Sequence, residues 1–190
     1  ASHFARSRQQ RTDPPADVAA LSRPVFGYVG VIDERLDYAL IRNVARANPE
    51  ASIVMVGPRV KVDASELPTE PNIHWLGQRA YDDLPAYLGA FDVCLMPFAL
   101  NEATRYINPT KTLEYMAAGK PIVSTAVTDV VTQFGSIVHI ARTHGEFIDL
   151  CRSASRADQS HRVAAGIARA HNASWDTIVS DMQQLIAAVD

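Results

Sequence analysis

Short runs of apolar residues alternate with segments of helical spacing along most of the chain. The apolar runs predict strands at residues 25–31, 52–56, 73–77, 92–96, 121–124 and 137–140. These runs are apolar throughout and do not alternate with polar residues, so both faces of the sheet must be covered. The pattern therefore predicts an α/β fold, a Rossmann-like parallel sheet of about six strands with helices on both faces.

Apolar residues at helical spacing predict helices between these strands and after the last one. The predicted helical segments are residues 33–47, 82–90, 109–118 and most of the chain from 146 onward. Asp33 is a candidate cap for the first of them, and Gly119 closes the third. Asn172 or Ser174 is expected to start the final helix. Ligands of such folds bind beyond the carboxyl ends of the strands.

The first 24 residues differ from the rest of the chain. They are polar, include Pro14, Pro15 and Pro24, and lack a helical or strand period. We interpret residues 1–24 as an inter-domain linker or tail, 25–171 as the α/β domain and 172–190 as a C-terminal helix. A domain that begins in this way suggests a partner domain upstream.

Composition narrows the class of protein. The chain has 190 residues, of which 47% are hydrophobic, and this is enough for one domain with its own core. The net charge of −3 gives no support to nucleic-acid binding. No apolar run reaches the ~18 residues of a membrane span. Cys94 and Cys151 are far apart in apolar or helical contexts, and they indicate free thiols and a cytoplasmic protein.

The start of the third predicted helix carries the strongest chemical signal. Asn108 suits an N-cap and Pro109 a first helical residue, which places Thr110 and Lys111 in the first turn. A lysine there opposes the helix dipole, and local rules are broken most often at functional sites. The free backbone amides, the Thr110 or Thr112 hydroxyl and the Lys111 ammonium could together hold a phosphate or diphosphate.

Glu114 lies one turn further along the same helix face. It is either the partner of Lys111 in an ordinary ion pair on a solvated surface or a carboxylate that accepts hydrogen bonds from the hydroxyls of a ribose. Gly27 and Gly30 bracket the end of the first strand without the third glycine of a dinucleotide fingerprint. Gly30 is a candidate for close approach of a ligand, and Arg35 is a candidate second phosphate contact, although a solvated helix position is the simpler explanation of Arg35.

Other chemistries lack support in the sequence. The six histidines have no metal-ligand spacing and no accompanying carboxylate cluster, so no metal site is expected. There is no Gly-x-Ser-x-Gly elbow, and Cys94 falls within a predicted strand, so nucleophilic hydrolysis is not indicated.

Residues 109–123 resemble the donor-site segment of retaining glycosyltransferases with the GT-B fold, the glycosyl transferases group 1 family. In that family a glutamate leads into an Ala-Ala-Gly-x-Pro-Val-Val run, as Glu114 leads here into residues 117–123. Further similar segments occur in the same order, at residues 27–30, 56–58, 72–77, 91–98 and 174–176. The resemblance spans about residues 24–190 and implies one half of a GT-B fold.

The resemblance implies a domain that binds a nucleotide-sugar donor, such as a UDP or GDP sugar, for polysaccharide biosynthesis. The acceptor would be held by a missing N-terminal domain of the same polypeptide, which could also bring the protein to a membrane surface, and this fragment alone would be inactive. Transfer is expected to retain anomeric configuration and to need no metal or other cofactor. Lys111, Arg35 and the helix dipole would then stabilise the leaving diphosphate.

The family pattern also assigns individual contacts. Glu114 would contact the ribose, while Thr110, Lys111 and Thr112 would contact the diphosphate. The backbone near Arg79 would face the base. Lys111 and Glu114 are the candidates for a catalytic role.

The chain departs from the family at three places. Tyr106 stands where many members have a second glutamate, which holds the donor sugar. Val31 stands where many have an arginine, and Arg35 is nearest to the place of a lysine. Glu102 is a candidate substitute for the missing carboxylate. The departures suggest a donor site built around Asn108, Lys111 and Glu114.

Two other functions stay open. A nucleotide-sugar epimerase would share the architecture but would need titratable acid and base groups in the cleft. A non-catalytic nucleotide-binding or interaction domain would explain the loss of the glutamate at Tyr106.

Overall fold

The computed structural model describes residues 2–9, 13–104, 107 and 110–173. The predicted final helix, Tyr106 and Asn108 lie outside the described residues. The described residues form one parallel sheet in the order β3-β2-β1-β4-β5-β6. The strands are β1 (Val25–Val29), β2 (Ser52–Val56), β3 (Ile73–Gly77), β4 (Val93–Met96), β5 (Ile122–Thr125) and β6 (His139–Ala141). The predicted parallel sheet is confirmed.

Helices connect and cover these strands. They are α1 (Ser2–Gln9), α2 (Ala16–Ala19), α3 (Tyr38–Ala47), α4 (Leu84–Ala90), α5 (Thr110–Ala117), α6 (Thr128–Phe134), α7 (His144–Arg156) and α8 (Ser160–Asn172). Short 3-10 helices lie at Ala64–Glu66, Tyr81–Asp83 and Glu102–Thr104. Helix α3 packs against α7, while α5 packs against both α1 and α8. The helices therefore form two layers around the sheet.

The burial of the strands explains why they are apolar throughout. Every residue of β1, β2, β4 and β5 is buried, as expected for strands covered on both faces. The edge strands β3 and β6 are only partly buried. The sixth strand was predicted at 137–140 and begins instead at His139, because Ile137 and Val138 bond back to Phe134 at the end of α6.

The start of α3 differs from the prediction that Asp33 caps it. The helix begins at Tyr38, and Asp37 is its N-cap, with a carboxylate oxygen that accepts a hydrogen bond from the Leu40 amide at 2.8 Å. Asp33 lies in the connection between β1 and α3 and bonds to Arg35 instead. The predicted end is confirmed, since Asn48 is the C-cap.

The first 24 residues were predicted to lack a helical period, and here the structure differs. They contain α1 and α2, and each helix places one large side chain in the core. Phe4 is 3% exposed and Val18 is 2% exposed. Because each helix buries so few apolar side chains, no periodic pattern was visible in the sequence. The division of the chain at residue 24 stays a prediction.

Candidate functional site

The strand order reverses between β1 and β4, and this opens a crevice at their carboxyl ends. β2 and β3 extend the sheet from one side of β1, whereas β4, β5 and β6 extend it from the other. In open α/β sheets, the connections on the two sides of such a point run in opposite directions, and the space between them forms a ligand site. The crevice here is bordered by the connections that follow β1 and β4 and by the start of α5.

A cavity of about 160 Å³ lies in this crevice. Its lining combines two cationic side chains with mostly apolar and aromatic groups. The described residues that line it are Tyr28, Val31, Arg35, Met96, Phe98, Ile107, Thr110 and Lys111. The structure thus brings together three of the predicted site residues, Arg35, Thr110 and Lys111, from two separate parts of the chain.

Lys111 occupies the centre of this arrangement. Its Nζ lies 5.7 Å from the centre of the Tyr28 ring, and within the described part of the chain it makes no hydrogen bond or ion pair. Burial lowers the pKa of Lys111, although the nearby Glu114 carboxylate acts in the opposite direction. A half-buried ammonium with no anionic partner favours an anion in the cavity.

Gly30 provides the space for this lysine. A β-carbon on Gly30 would lie 2.2 Å from Lys111 Nζ and 2.8 Å from the Tyr28 hydroxyl. A β-carbon on Gly57, at the end of β2, would lie 1.8 Å from the Gly30 carbonyl oxygen. Gly30 is therefore closely packed by Lys111, Tyr28 and the backbone of Gly57, and the predicted approach of a ligand to Gly30 stays a prediction.

Two side-chain contacts fix helix α5 in place beside the crevice. The Tyr115 hydroxyl accepts a hydrogen bond from the Val29 amide at 2.9 Å. The Thr112 hydroxyl donates to the Met96 sulfur at 3.5 Å. These contacts tie α5 to the ends of β1 and β4, the two strands that flank the crevice. Thr112 is 0% exposed, so Thr110, which is exposed, is the threonine that stays open to a ligand.

Helix α1 holds the other end of α5. Arg8 Nε donates to the Ala117 carbonyl at 2.8 Å, and the Ser7 hydroxyl donates to the Ala118 carbonyl at 3.2 Å. A cation at the carboxyl end of a helix interacts favourably with the helix dipole. This contact of Arg8 was not predicted, because a basic side chain in a polar segment gives no local sign of the carbonyl that it will reach.

Glu114 projects from α5 one turn beyond Lys111. Burial raises the pKa of its carboxyl group, and the charge of Lys111 partly opposes that rise. Within the described part of the chain the two side chains form no ion pair within 4.0 Å. The ordinary surface ion pair is therefore not what the structure contains, and the Glu114 carboxylate is open to another hydrogen-bond donor.

Arg79 lies apart from the cavity, just beyond the end of β3. Its Nη2 pairs with Asp17 at 2.9 Å, and its Nε donates to the Tyr87 hydroxyl at 2.7 Å. Tyr87 also bonds to Asp17 at 2.9 Å. The backbone near Arg79 was predicted to face the nucleotide base, and that contact stays a prediction. The Arg79 side chain is already bonded to Asp17 and Tyr87.

Groups for other chemistries are absent from the described ranges. Burial raises the pKa of Cys94 to about 12 and also raises that of Cys151, so neither is a reactive thiolate. No cluster of three or more metal-ligating side chains occurs in the described segments. No described helix is both long enough and apolar enough to cross a membrane.

Comparison with known proteins identifies the family. The model of the family described as glycosyl transferases group 1 matches residues 23–152, which is more than half of the chain. The chain belongs to this family. The match covers the whole sheet and the helices that border the crevice, and the family suggested by residues 109–123 is thereby confirmed.

Relatives of this glycosyltransferase chain agree with that assignment. TuaH of Bacillus subtilis (strain 168), named as a glycosyltransferase of teichuronic acid biosynthesis, is 33% identical over 104 residues. That alignment covers 53% of this chain and 26% of TuaH.

Solved structures show the same fold. HepE of Anabaena, in complex with UDP and glucose, matches with a TM-score of 0.67 and 18% identity over 99% of this chain and 52% of HepE. The UDP-forming trehalose-phosphate synthase of Burkholderia vietnamiensis matches with a TM-score of 0.65 and 17% identity over 99% of this chain and 50% of the synthase. The chain spans about half the length of these structures, and the match confirms that it corresponds to one half of a GT-B fold.

Proposed function

We propose that this chain is the donor-binding half of a glycosyltransferase that uses a nucleotide-diphosphate sugar. The observation that carries the proposal is the half-buried Lys111 ammonium, which has no partner among the described residues and lines the same cavity as Arg35 at the reversal of strand order. A diphosphate there would compensate the Lys111 ammonium and would also meet Arg35 and the amides of the helix N-terminus. The structure of HepE with UDP-glucose supports a donor of this class.

The individual roles follow from position. Lys111, Thr110 and Arg35 hold the diphosphate, with Asn108 as an expected further contact before the helix. Glu114 accepts hydrogen bonds from the ribose hydroxyls. The backbone between Gly77 and Arg79 faces the base.

In the transfer, the bond between the anomeric carbon and the diphosphate oxygen breaks, and its electron pair stays on the diphosphate. The acceptor hydroxyl forms the new bond to that carbon and loses its proton. Lys111 and Arg35 stabilise the negative charge that develops on the departing diphosphate, and no metal ion is assigned that task. We expect an N-terminal domain of the same polypeptide to hold the acceptor, and we expect retention of configuration as in the family pattern.

A titration tests the donor site. UDP, GDP, ADP and free pyrophosphate are added to the wild type, to Lys111→Ala and to Glu114→Gln, and the rise in melting temperature gives the affinity. We expect one nucleotide to stabilise the wild type selectively. Lys111→Ala should weaken binding of that diphosphate by about tenfold or more. Glu114→Gln should weaken binding of the nucleoside diphosphate but not of free pyrophosphate. The control is Lys120→Gln, which removes another half-buried lysine outside the cavity.

The same titration can contradict the proposal. Unchanged affinity in both Lys111→Ala and Glu114→Gln would refute the site. If the full-length protein bound no nucleotide at all, a non-catalytic interaction domain would be favoured.

An epimerase is the less supported alternative. No carboxylate or histidine occurs among the described residues that line the cavity, whereas epimerisation requires an acid and a base at the sugar. Incubation of full-length protein with the nucleotide sugar and no acceptor separates the two activities. An epimerised sugar under those conditions would overturn the transferase assignment.

A further inference from the structure

Asp33 is a buried carboxylate at the edge of the crevice, and the proposed function has not used it. It is 7% exposed and follows β1 by four residues. It does not cap α3, since Asp37 does so. A buried acid is unexpected beside a site that should attract anions, so the contacts of Asp33 with its neighbours must explain why it is there.

The carboxylate of Asp33 binds one edge of the Arg35 guanidinium group. Arg35 Nε lies 2.9 Å from both Asp33 oxygens, and Arg35 Nη2 lies 2.5 Å from Oδ2. The Arg35 amide also donates to Oδ1 at 3.1 Å. Asp33 thus fixes both the backbone and the side chain of Arg35.

The other edge of the guanidinium group stays available. A guanidinium group has five N–H bonds, and Asp33 engages only those on Nε and one on Nη2. Within the described part of the chain, Arg35 Nη1 and the second Nη2 hydrogen have no acceptor. Arg35 also lines the cavity with Lys111, and a guanidinium group with unengaged N–H groups can bind a phosphate through two of them.

The ion pair is well suited to a fixed orientation. Burial opposes ionisation of Asp33, but the hydrogen bonds from Arg35 outweigh it, so the pKa of the carboxyl group is lowered and Asp33 is charged at neutral pH. A free arginine would lose side-chain entropy on binding a ligand, and part of that loss is avoided when the side chain is already held.

We propose that Asp33 is a positioning residue, which holds the Arg35 guanidinium group so that its free edge receives a phosphate of the donor. The inference rests on the proposed function. It assigns to Asp33 a role that acts through Arg35 and not by direct contact with the ligand. In the opposite role, Asp33 would neutralise Arg35 and weaken anion binding, so its removal would tighten the binding of the diphosphate.

A double-mutant cycle tests this coupling. Asp33→Asn, Arg35→Gln and the double variant of the full-length protein are titrated with the diphosphate, among UDP, GDP and ADP, that stabilises the wild type most. We expect Asp33→Asn and Arg35→Gln each to weaken binding by about tenfold. The double variant should bind no more weakly than Arg35→Gln, because Asp33 has no function once the guanidinium group is gone.

A second pair of variants separates an effect on the orientation of the Arg35 guanidinium group from an effect on folding. Arg35→Lys keeps the charge but cannot form the two-edged contact, so it should lose about as much affinity as Asp33→Asn. Added to Arg35→Lys, Asp33→Asn should have no further effect. This comparison is made within one background, so it stays informative even if Asp33→Asn lowers the melting temperature.

The outcomes are distinguishable from failure of the donor site itself. Wild-type binding that is lost in Lys111→Ala but unchanged or tighter in Asp33→Asn would refute only the role of Asp33. Full additivity in the double variant would also refute it, since Asp33 would then act independently of Arg35. A wild type that binds none of the three diphosphates would overturn both proposals.

Discussion

Lys111 is a residue whose charge is unfavourable at its position in the helix but suits an anion-binding site. It sits in the first turn of α5, where the helix dipole is unfavourable for a cation, and it is half-buried against Gly30 and Tyr28. Lys120 is also half-buried, but its ammonium donates to the carbonyls of Gly89 and Phe91 at 2.7 and 2.8 Å. The two lysines therefore differ in whether the fold itself satisfies their charge.

We predict that Lys111→Met stabilises the protein without ligand by about 1 kcal/mol, because it removes a buried unpaired charge and keeps the side-chain volume. The matched variant Lys120→Met should destabilise the protein by about 1–2 kcal/mol, because it leaves two carbonyls unpaired. Urea unfolding of both variants at pH 7 measures the difference. A loss of stability in Lys111→Met would mean that the fold already satisfies this lysine.

The gain in stability expected for Lys111→Met depends on pH, because the pKa of Lys111 is lowered in the folded protein. Between the folded pKa and the ordinary value of 10.5, the unfolded state holds more protons than the folded state, so the stability of the wild type rises with pH. The advantage of Lys111→Met should therefore shrink as pH rises through that window.

Helix α3 illustrates how an element is fixed by both local and distant contacts. Asp37 caps it through the Leu40 amide, and the other oxygen of Asp37 lies 2.9 Å from His144 Nε2 at the start of α7. One side chain thus joins the two helices that pack together on this side of the sheet.

We predict that Asp37→Ala lowers the free energy of unfolding by about 1 kcal/mol or more, since it removes the cap as well as the link to α7. Asp37→Asn should lose less, because asparagine caps a helix about as well as aspartate. The control is Asp129→Ala in the first turn of α6, where the described structure has no side-chain cap bond. Equal effects of Asp37→Ala and Asp129→Ala in thermal unfolding would contradict the assigned cap.

At the scale of the whole molecule, α1 forms part of the folded unit although it lies in the segment predicted as a linker. Phe4 is buried, and Ser7 and Arg8 bond to the carbonyls at the end of α5. The segment that would connect to a partner domain therefore touches the helix that carries Lys111.

We predict that deletion of residues 1–12 lowers the free energy of unfolding by about 3 kcal/mol, chiefly through loss of the Phe4 contacts. The urea midpoint and slope of the truncated and intact chains measure this difference. Arg6→Gln is the control within α1, because among the residues that the structure describes Arg6 makes only an exposed contact with Asp82, at 3.9 Å. Unchanged stability after the deletion would support a linker that contributes nothing to the domain.

The sequence alone determined the fold class and the buried strands of the sheet. Continuous apolar runs arise where both faces of a strand are buried, as in β1, β2, β4 and β5, and that requirement is local enough to be visible in the pattern. The misplaced lysine at 111 was visible for the same reason, because helix dipoles and first-turn preferences depend only on neighbours in sequence.

Only the tertiary structure decided which of these residues meet. The order of the strands, which places the crevice between β1 and β4, is a set of contacts between distant segments, and local periodicity does not encode such contacts. For that reason the sequence assigned Asp33 to a helix cap and left the role of Arg35 open. The fold brought Arg35 to the same cavity as Lys111, turned Thr112 into the core and placed Arg8 at the end of α5.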